Sequence, residues 1–126
     1  MELKRVVVTG LGALTPIGNS VKEYWEGLTN GVSGAAPITY FDASNFKTQF
    51  ACELKNFVAT DHFDRKEARK MDRFTQYAMV VADEAIADSG LDLENEDTSR
   101  IGVIWGAGIG GLETFQNEVL NYAQGD

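Results

Sequence analysis

Apolar residues fall in short blocks along this chain, and each block has its own period. Residues 5–8 are a basic residue and three valines, ended by the glycine-rich turn Thr9-Gly10-Leu11-Gly12. A run without alternation predicts a strand buried on both faces, as in α/β sheets. Ser20-Val21-Lys22-Glu23 is a capping-box pattern, in which the serine hydroxyl and the Glu23 carboxylate satisfy exposed amides reciprocally. Val21, Trp25 and Leu28 follow at helical spacing, and Asn30-Gly31 supplies the stop. Over residues 31–60, Gly31, Gly34 and Pro37 mark a loop, while Tyr40, Phe41, Phe46, Phe50 and Phe57 predict short strands or turns packed on a core. Residues 64–90 read as one helix. Asp64 caps it with Glu67 three residues on, and Phe74, Tyr77, Ala78, Val81, Ala82, Ala85 and Ile86 form an apolar stripe that Gly90 ends. The alanines in that stripe predict close approach by a neighbouring helix. A polar connector over residues 92–100 leads to a second buried strand at 101–105, then to a glycine turn and a helix bearing Leu112, Phe115, Val119 and Tyr122 on one side.

The predicted order is β-α-(irregular)-α-β-α, an α/β chain. Two or three strands with no polar face make a poor sheet, since sheets commonly have about four to six. Residues 1–126 therefore read as an incomplete part of a larger α/β domain, stopping after a helix and before the strand it would lead into. Composition agrees with a folded protein: of 126 residues 44% are hydrophobic and 24% charged, which excludes global disorder. No run approaches the roughly 18 apolar residues of a membrane span. The start holds too few apolar residues for a signal-peptide core, so a cytoplasmic location is expected. A net charge of -8 disfavours general nucleic-acid binding.

Candidate chemistry is sparse. The single cysteine, Cys52, excludes an internal disulfide framework, and with the single histidine, His62, it makes a metal centre unexpected. Cys52 lies in a predicted strand over residues 49–54, where a buried small hydrophobe is the expected role. His62, just ahead of a helix, is expected to be structural or solvent-facing. Thr9-Gly10-Leu11-Gly12 continues to Thr15-Pro16-Ile17-Gly18. It fails the dinucleotide pattern at Thr15 and has no lysine for a phosphate loop, so it reads as a loop needing unusual backbone angles. Gly106-Ala107-Gly108-Ile109-Gly110-Gly111 does fit G-x-G-x-x-G between a predicted strand and helix. The ribose-binding acid about 20 residues further on falls only at Asp126. A dinucleotide site and a turn lining a substrate channel or interface both remain open for this loop.

The charge is unevenly spread. Residues 65–73 hold five of the eleven basic residues and two acidic ones, a local surplus of three positive charges in a chain of net -8. On one continuous helix, Lys66, Arg69, Lys70 and Arg73 share a face at i, i+3, i+4 and i+7. Such a cluster is either a solvated, ion-paired face or a docking patch for an acidic partner.

From Val6-Val7-Val8-Thr9-Gly10-Leu11-Gly12 through Thr15-Pro16-Ile17-Gly18, the sequence resembles the N-terminus of β-ketoacyl-[acyl-carrier-protein] synthases, most like their synthase II branch. The resemblance continues through Ser33-Gly34, Phe41-Asp42, Arg65-Lys66, Arg69-Lys70-Met71-Asp72, Gln76-Tyr77, Asp88-Ser89-Gly90, Arg100-Ile101-Gly102 and Gly108-Ile109-Gly110-Gly111. It covers the whole chain in order, and about the first third of a usual family chain. It implies a thiolase-like fold of αβαβα layers, a homodimer, and a decarboxylating condensation of an acyl thioester with malonyl-acyl-carrier protein. It also implies docking of acyl carrier protein at Lys66, Arg69 and Lys70. Gly108 and Ile109 match the loop bordering the acyl-chain pocket, with Ile109 at the residue that limits it. No cofactor and no metal are implied. The family's nucleophilic cysteine and two histidines come later in the family chain than residue 126, so no catalytic residue is expected here, and none can be moved to Cys52 or His62. The alternatives are a dinucleotide-binding module of an oxidoreductase and a non-catalytic carrier-protein-binding piece.

Overall fold

Small residues on one side of a long helix leave its backbone open to approach, and here a glycine-rich loop uses that opening. The computed structural model describes residues 3–125. Its helices are α1 (Val21–Thr29), α2 (Arg65–Ala68), α3 (Arg73–Ser89) and α4 (Leu112–Gln124), with single 3₁₀ turns at Ala59–Asp61 and Thr98–Arg100. Strands β1 (Ala36–Pro37) and β2 (Phe50–Ala51) pair antiparallel, Ala36 opposite Ala51 and Pro37 opposite Phe50.

The expected partner for the alanine-rich face of α3 was a helix; the observed one is the loop of residues 10–18. A Cβ at Gly10 would strike the Ala85 carbonyl and the Ser89 backbone, and one at Gly12 the Val81 carbonyl. Neither glycine has a positive φ, so close approach, and not the expected unusual backbone angle, is what excludes a side chain at both. Carboxylates on α3 then satisfy the loop amides. Asp88 Oδ2 accepts from Leu11 N at 2.9 Å and Glu84 Oε2 from Ala13 N at 2.8 Å. The other Glu84 oxygen accepts from Val21 N at 2.9 Å, in the first turn of α1.

Helix ends follow local chemistry. Ser20 Oγ accepts from Glu23 N at 3.2 Å, while the Glu23 carboxylate reaches Asn19 N at 2.8 Å, one residue before the expected amide. Asn30 and Gly31 (φ 66°) close α1, and Gly90 closes α3 in the left-handed region at φ 69°.

Two expectations are corrected. The helix over 64–90 is broken: α2 ends at Ala68, and Asp72 at φ -60° and ψ 155° is extended before α3 begins. The break is stapled by Gln76, one of the few buried side chains, whose Nε2 donates to the Ala68 carbonyl at 2.8 Å and the Met71 carbonyl at 3.2 Å. The strands at 5–8 and 101–105 do not form. Both segments are exposed, Val6 at 89% and Ile104 at 98%. A strand exists only through its ladder, and among the described residues nothing pairs with either segment. The order β-α-(irregular)-α-β-α therefore reduces to helices with one small hairpin pair inside the irregular region. Only Ala43 and Ala68 are buried apolar residues among those described.

The packing of residues 10–18 on α3 sets an expected outcome. In the full-length protein, Gly12→Ala should lower unfolding free energy by about 1–3 kcal/mol through overpacking. Lys22→Ala, at an exposed position on α1, should stay within about 0.5 kcal/mol. Denaturant midpoints for the two variants check this, and equal values for both would remove the packing argument.

Candidate functional site

The basic segment is built on a helix of one turn. Asp64 Oδ1 accepts from Lys66 N at 2.8 Å and Glu67 N at 3.0 Å, which caps α2 and starts it with Lys66 facing solvent. Arg69 is the exposed C-cap, and Lys70 follows outside the helix, its Nζ 2.7 Å from the Glu67 carboxylate. An exposed pair of this kind contributes about 0–1 kcal/mol, so it leaves Lys70 available to a stronger anion.

Arg73 does not belong with these three. Beyond the break, it makes a 3.0 Å ion pair with Glu113 at the start of α4 while its guanidinium lies 4.8 Å from the centre of the Tyr40 ring. The expected four-residue helical face is therefore not formed as such, since Arg73 is engaged elsewhere and α2 ends before Arg69 and Lys70. Burial opposes the charge on Arg73, yet Glu113, Tyr77 and Tyr40 together raise its pKa. Burial pushes the Tyr77 phenol up, and the neighbouring Tyr40 hydroxyl adds to it.

Tyr40 is braced in turn by Glu53, whose carboxylate accepts from Thr39 Oγ1 at 2.7 Å, Thr39 N at 3.1 Å and Tyr40 N at 3.4 Å. The Thr39 hydroxyl holds the Glu53 carboxyl below the usual range, against desolvation and with help from the two amides and Arg73. A cavity of about 530 Å³ opens beside this cluster, lined by Tyr40, Arg73, Tyr77, Gly111, Asn117 and Cys52 among others. Cys52 is exposed there, contrary to the expected buried role, because β2 stops at Ala51 and no strand continues to cover it. His62 stacks on Phe57 with ring centres 5.3 Å apart, and Phe57 meets Tyr77 edge-on, a packing role.

The glycine-rich loop comes close to the same cluster. Gly110 takes φ 73° and Gly111 is the N-cap of α4. Gly108 and Ile109 are exposed, Ile109 at 77%. Asp72, which follows the basic segment, accepts a hydrogen bond from Thr114 Oγ1. The basic segment and the glycine loop, far apart in sequence, are thus joined through Asp72, two residues after Lys70, and Thr114, three after Gly111. Sequence reading missed Asp72, Glu113 and Thr114. The only local signal was an acidic cap-type residue, Asp72, inside an unbroken helical pattern. The strand that a dinucleotide fingerprint needs before its glycines is not formed, and Asp126 lies outside the described residues.

Residues 3–125 match the sequence model of the family described as Beta-ketoacyl synthase, N-terminal domain. The chain belongs to this family. It is 56% identical over 113 residues to the 3-oxoacyl-[acyl-carrier-protein] synthase 2 of Staphylococcus aureus (strain N315), covering 90% of this chain and 27% of that protein. It is 49% identical over 118 residues to the protein of the same name from Synechocystis, covering 94% and 28% respectively. Among solved structures, the ishigamide ketosynthase/chain length factor matches with a TM-score of 0.72 at 32% identity, over 95% of this chain and 30% of that one. The chain thus spans a little over a quarter of the length of its curated relatives, and its fold is that of a ketosynthase segment. Among the described residues of this ketoacyl synthase domain, no group of three or more His, Cys, Asp or Glu is arranged to hold a metal. No described helix is long and apolar enough to cross a membrane.

The brace at Glu53 has a defined pH dependence. Its carboxyl is lower in the folded than in the unfolded state, so its stabilisation is present above the ordinary carboxylate range and lost as pH falls through the folded value. Thr39→Val should move the Glu53 titration up toward the ordinary carboxylate value, as read by carboxyl NMR. An unshifted titration would show that the Thr39 hydroxyl does not set it.

Proposed function

We propose that the protein carrying this chain is a β-ketoacyl-[acyl-carrier-protein] synthase of the synthase II type, with residues 1–126 as its N-terminal part. The observation that carries this reading is the agreement of nearly the whole chain with the family's N-terminal domain, together with 56% identity to a 3-oxoacyl-[acyl-carrier-protein] synthase 2. The complete fold is then the layered αβαβα thiolase-like arrangement, and the working form a cytoplasmic homodimer. The exposed runs at 5–8 and 101–105 support this reading, since their apolar composition is that of buried strands whose partners lie elsewhere.

In the proposed reaction, a cysteine thiolate supplied from outside this chain attacks the acyl thioester and expels the carrier thiolate. Malonyl-carrier protein then loses carbon dioxide, and the resulting carbanion attacks the acyl-enzyme carbonyl and releases the cysteine. Dividing the condensation in this way is nucleophilic catalysis. The contribution of these residues is recognition. Lys66, Arg69 and Lys70 present positive charge to an acidic carrier, in a chain whose net charge of -8 repels anions elsewhere. Gly108 and Ile109 border the acyl pocket, the isoleucine side chain limiting its depth.

Two outcomes follow for the full-length enzyme. Lys66→Glu with Arg69→Glu should weaken acyl-carrier-protein binding by about tenfold or more at low salt, the loss shrinking as salt screens the charges. Calorimetric titration at two ionic strengths reads this, and unchanged binding would sink the docking assignment. Replacing Ile109 by Trp should shift relative kcat/KM toward short acyl chains by about tenfold. A chain-length profile identical to the parent's would take Ile109 out of the pocket.

A further inference from the structure

Asp72 occupies the N-cap position of α3 in an extended conformation, the usual place for a carboxylate that accepts from the helix's own amides. It makes no such bond. Its carboxylate instead accepts from Thr114 Oγ1 in the first turn of α4, 42 residues away in sequence. The geometry of Gly111, the N-cap of α4, fits the same purpose. A Cβ there would collide first with the Asp72 carboxylate, so the glycine lets α4 come close enough for the bond. The adjacent residue repeats the connection, with Arg73 Nε 3.0 Å from Glu113 Oε2. Two consecutive residues after the basic segment thus hold two consecutive residues after the glycine loop.

Among the described residues, little else holds that region. No other side-chain hydrogen bond or ion pair among them links 101–125 to the preceding chain, and the one backbone bond that crosses is the local turn from Ile101 N to the Thr98 carbonyl. The apolar side of α4 is open, Phe115 at 66% and Tyr122 at 87%.

We propose that Asp72, Arg73, Glu113 and Thr114 form a latch that positions the loop of residues 106–111, with Asp72 and Thr114 as positioning residues for Ile109. The latch fixes the start of α4 against the corner between α2 and α3. Gly110 and Gly111 transmit that position to Ile109 over two residues. The role in acyl selectivity rests on the reading of Ile109 as a pocket residue; the latch itself does not.

The test uses the full-length enzyme with Asp72→Ala, Thr114→Val, the two combined, and Thr114→Ser. Amide hydrogen exchange over residues 106–116 should quicken about tenfold in either single variant and no further in the double, because one bond is being removed twice. Thr114→Ser, which keeps the hydroxyl, should restore the parent's exchange. In condensation assays the first three variants should change the ratio of long-chain to short-chain kcat/KM by about threefold or more, while the KM for carrier protein stays within about twofold. Unchanged exchange, or additive effects in the double variant, overturns the latch. Quickened exchange with an unaltered chain-length profile overturns the selectivity role if Ile109→Trp does shift that profile. If Ile109→Trp shifts nothing either, the latch stands and the pocket reading falls.

Discussion

Helix α3 is the one element on which the rest is assembled, and Glu84 is the side chain where that dependence is sharpest. Both of its oxygens accept from backbone amides of other segments, Ala13 in the glycine loop and Val21 at the start of α1. An amide taken out of water without a partner costs about 1–3 kcal/mol, so a carboxylate that serves two of them does the work usually left to a sheet. The arrangement functions only because Gly10 and Gly12 bring the loop's backbone onto the helix. At its other end α3 carries the corner stapled by Gln76 and, through Asp72 and Arg73, the start of α4.

What was legible in the sequence is what local chemistry decides. Ser20, Asn30, Asp64 and Gly90 terminate helices as their side chains or backbone freedom demand, and each does so here. The break near Asp72 was hidden because the apolar stripe starting at Phe74 and the basic residues before it share one helical phase. The stripe says nothing about a change of axis between them. Arg73 was counted with the basic face for the same reason, and only Glu113 and Tyr40, distant in sequence, remove it. For the runs at 5–8 and 101–105 the composition of a buried strand was readable, but pairing is a property of two segments, and neither run has its second among the described residues. Cys52 belongs with them, since its expected burial depended on a strand that ends one residue before it.

The family relationship gives these exposed runs a physical meaning. Val6, Val8, Val103 and Ile104 stand in water here. In a layered fold whose strands are covered on both faces, the same residues would sit between helices, and burying each is worth about 1.5–3 kcal/mol. The residues proposed for docking face the opposite situation. Lys66, Arg69 and Lys70 are exposed, and the short helix that starts this segment is complete within a few residues.

The staple at Gln76 separates two properties of the basic segment that are usually tied together. Its direction is set from beneath, by a neutral amide whose nitrogen donates to the Ala68 and Met71 carbonyls. Its strength is set from above, by exposed side chains with no part in that staple. A lineage can therefore raise or lower the local positive charge by exchanging surface residues while the scaffold beneath stays fixed. Position 76 itself has no such latitude, for glutamate, its nearest isostere, when ionised presents oxygens to oxygens.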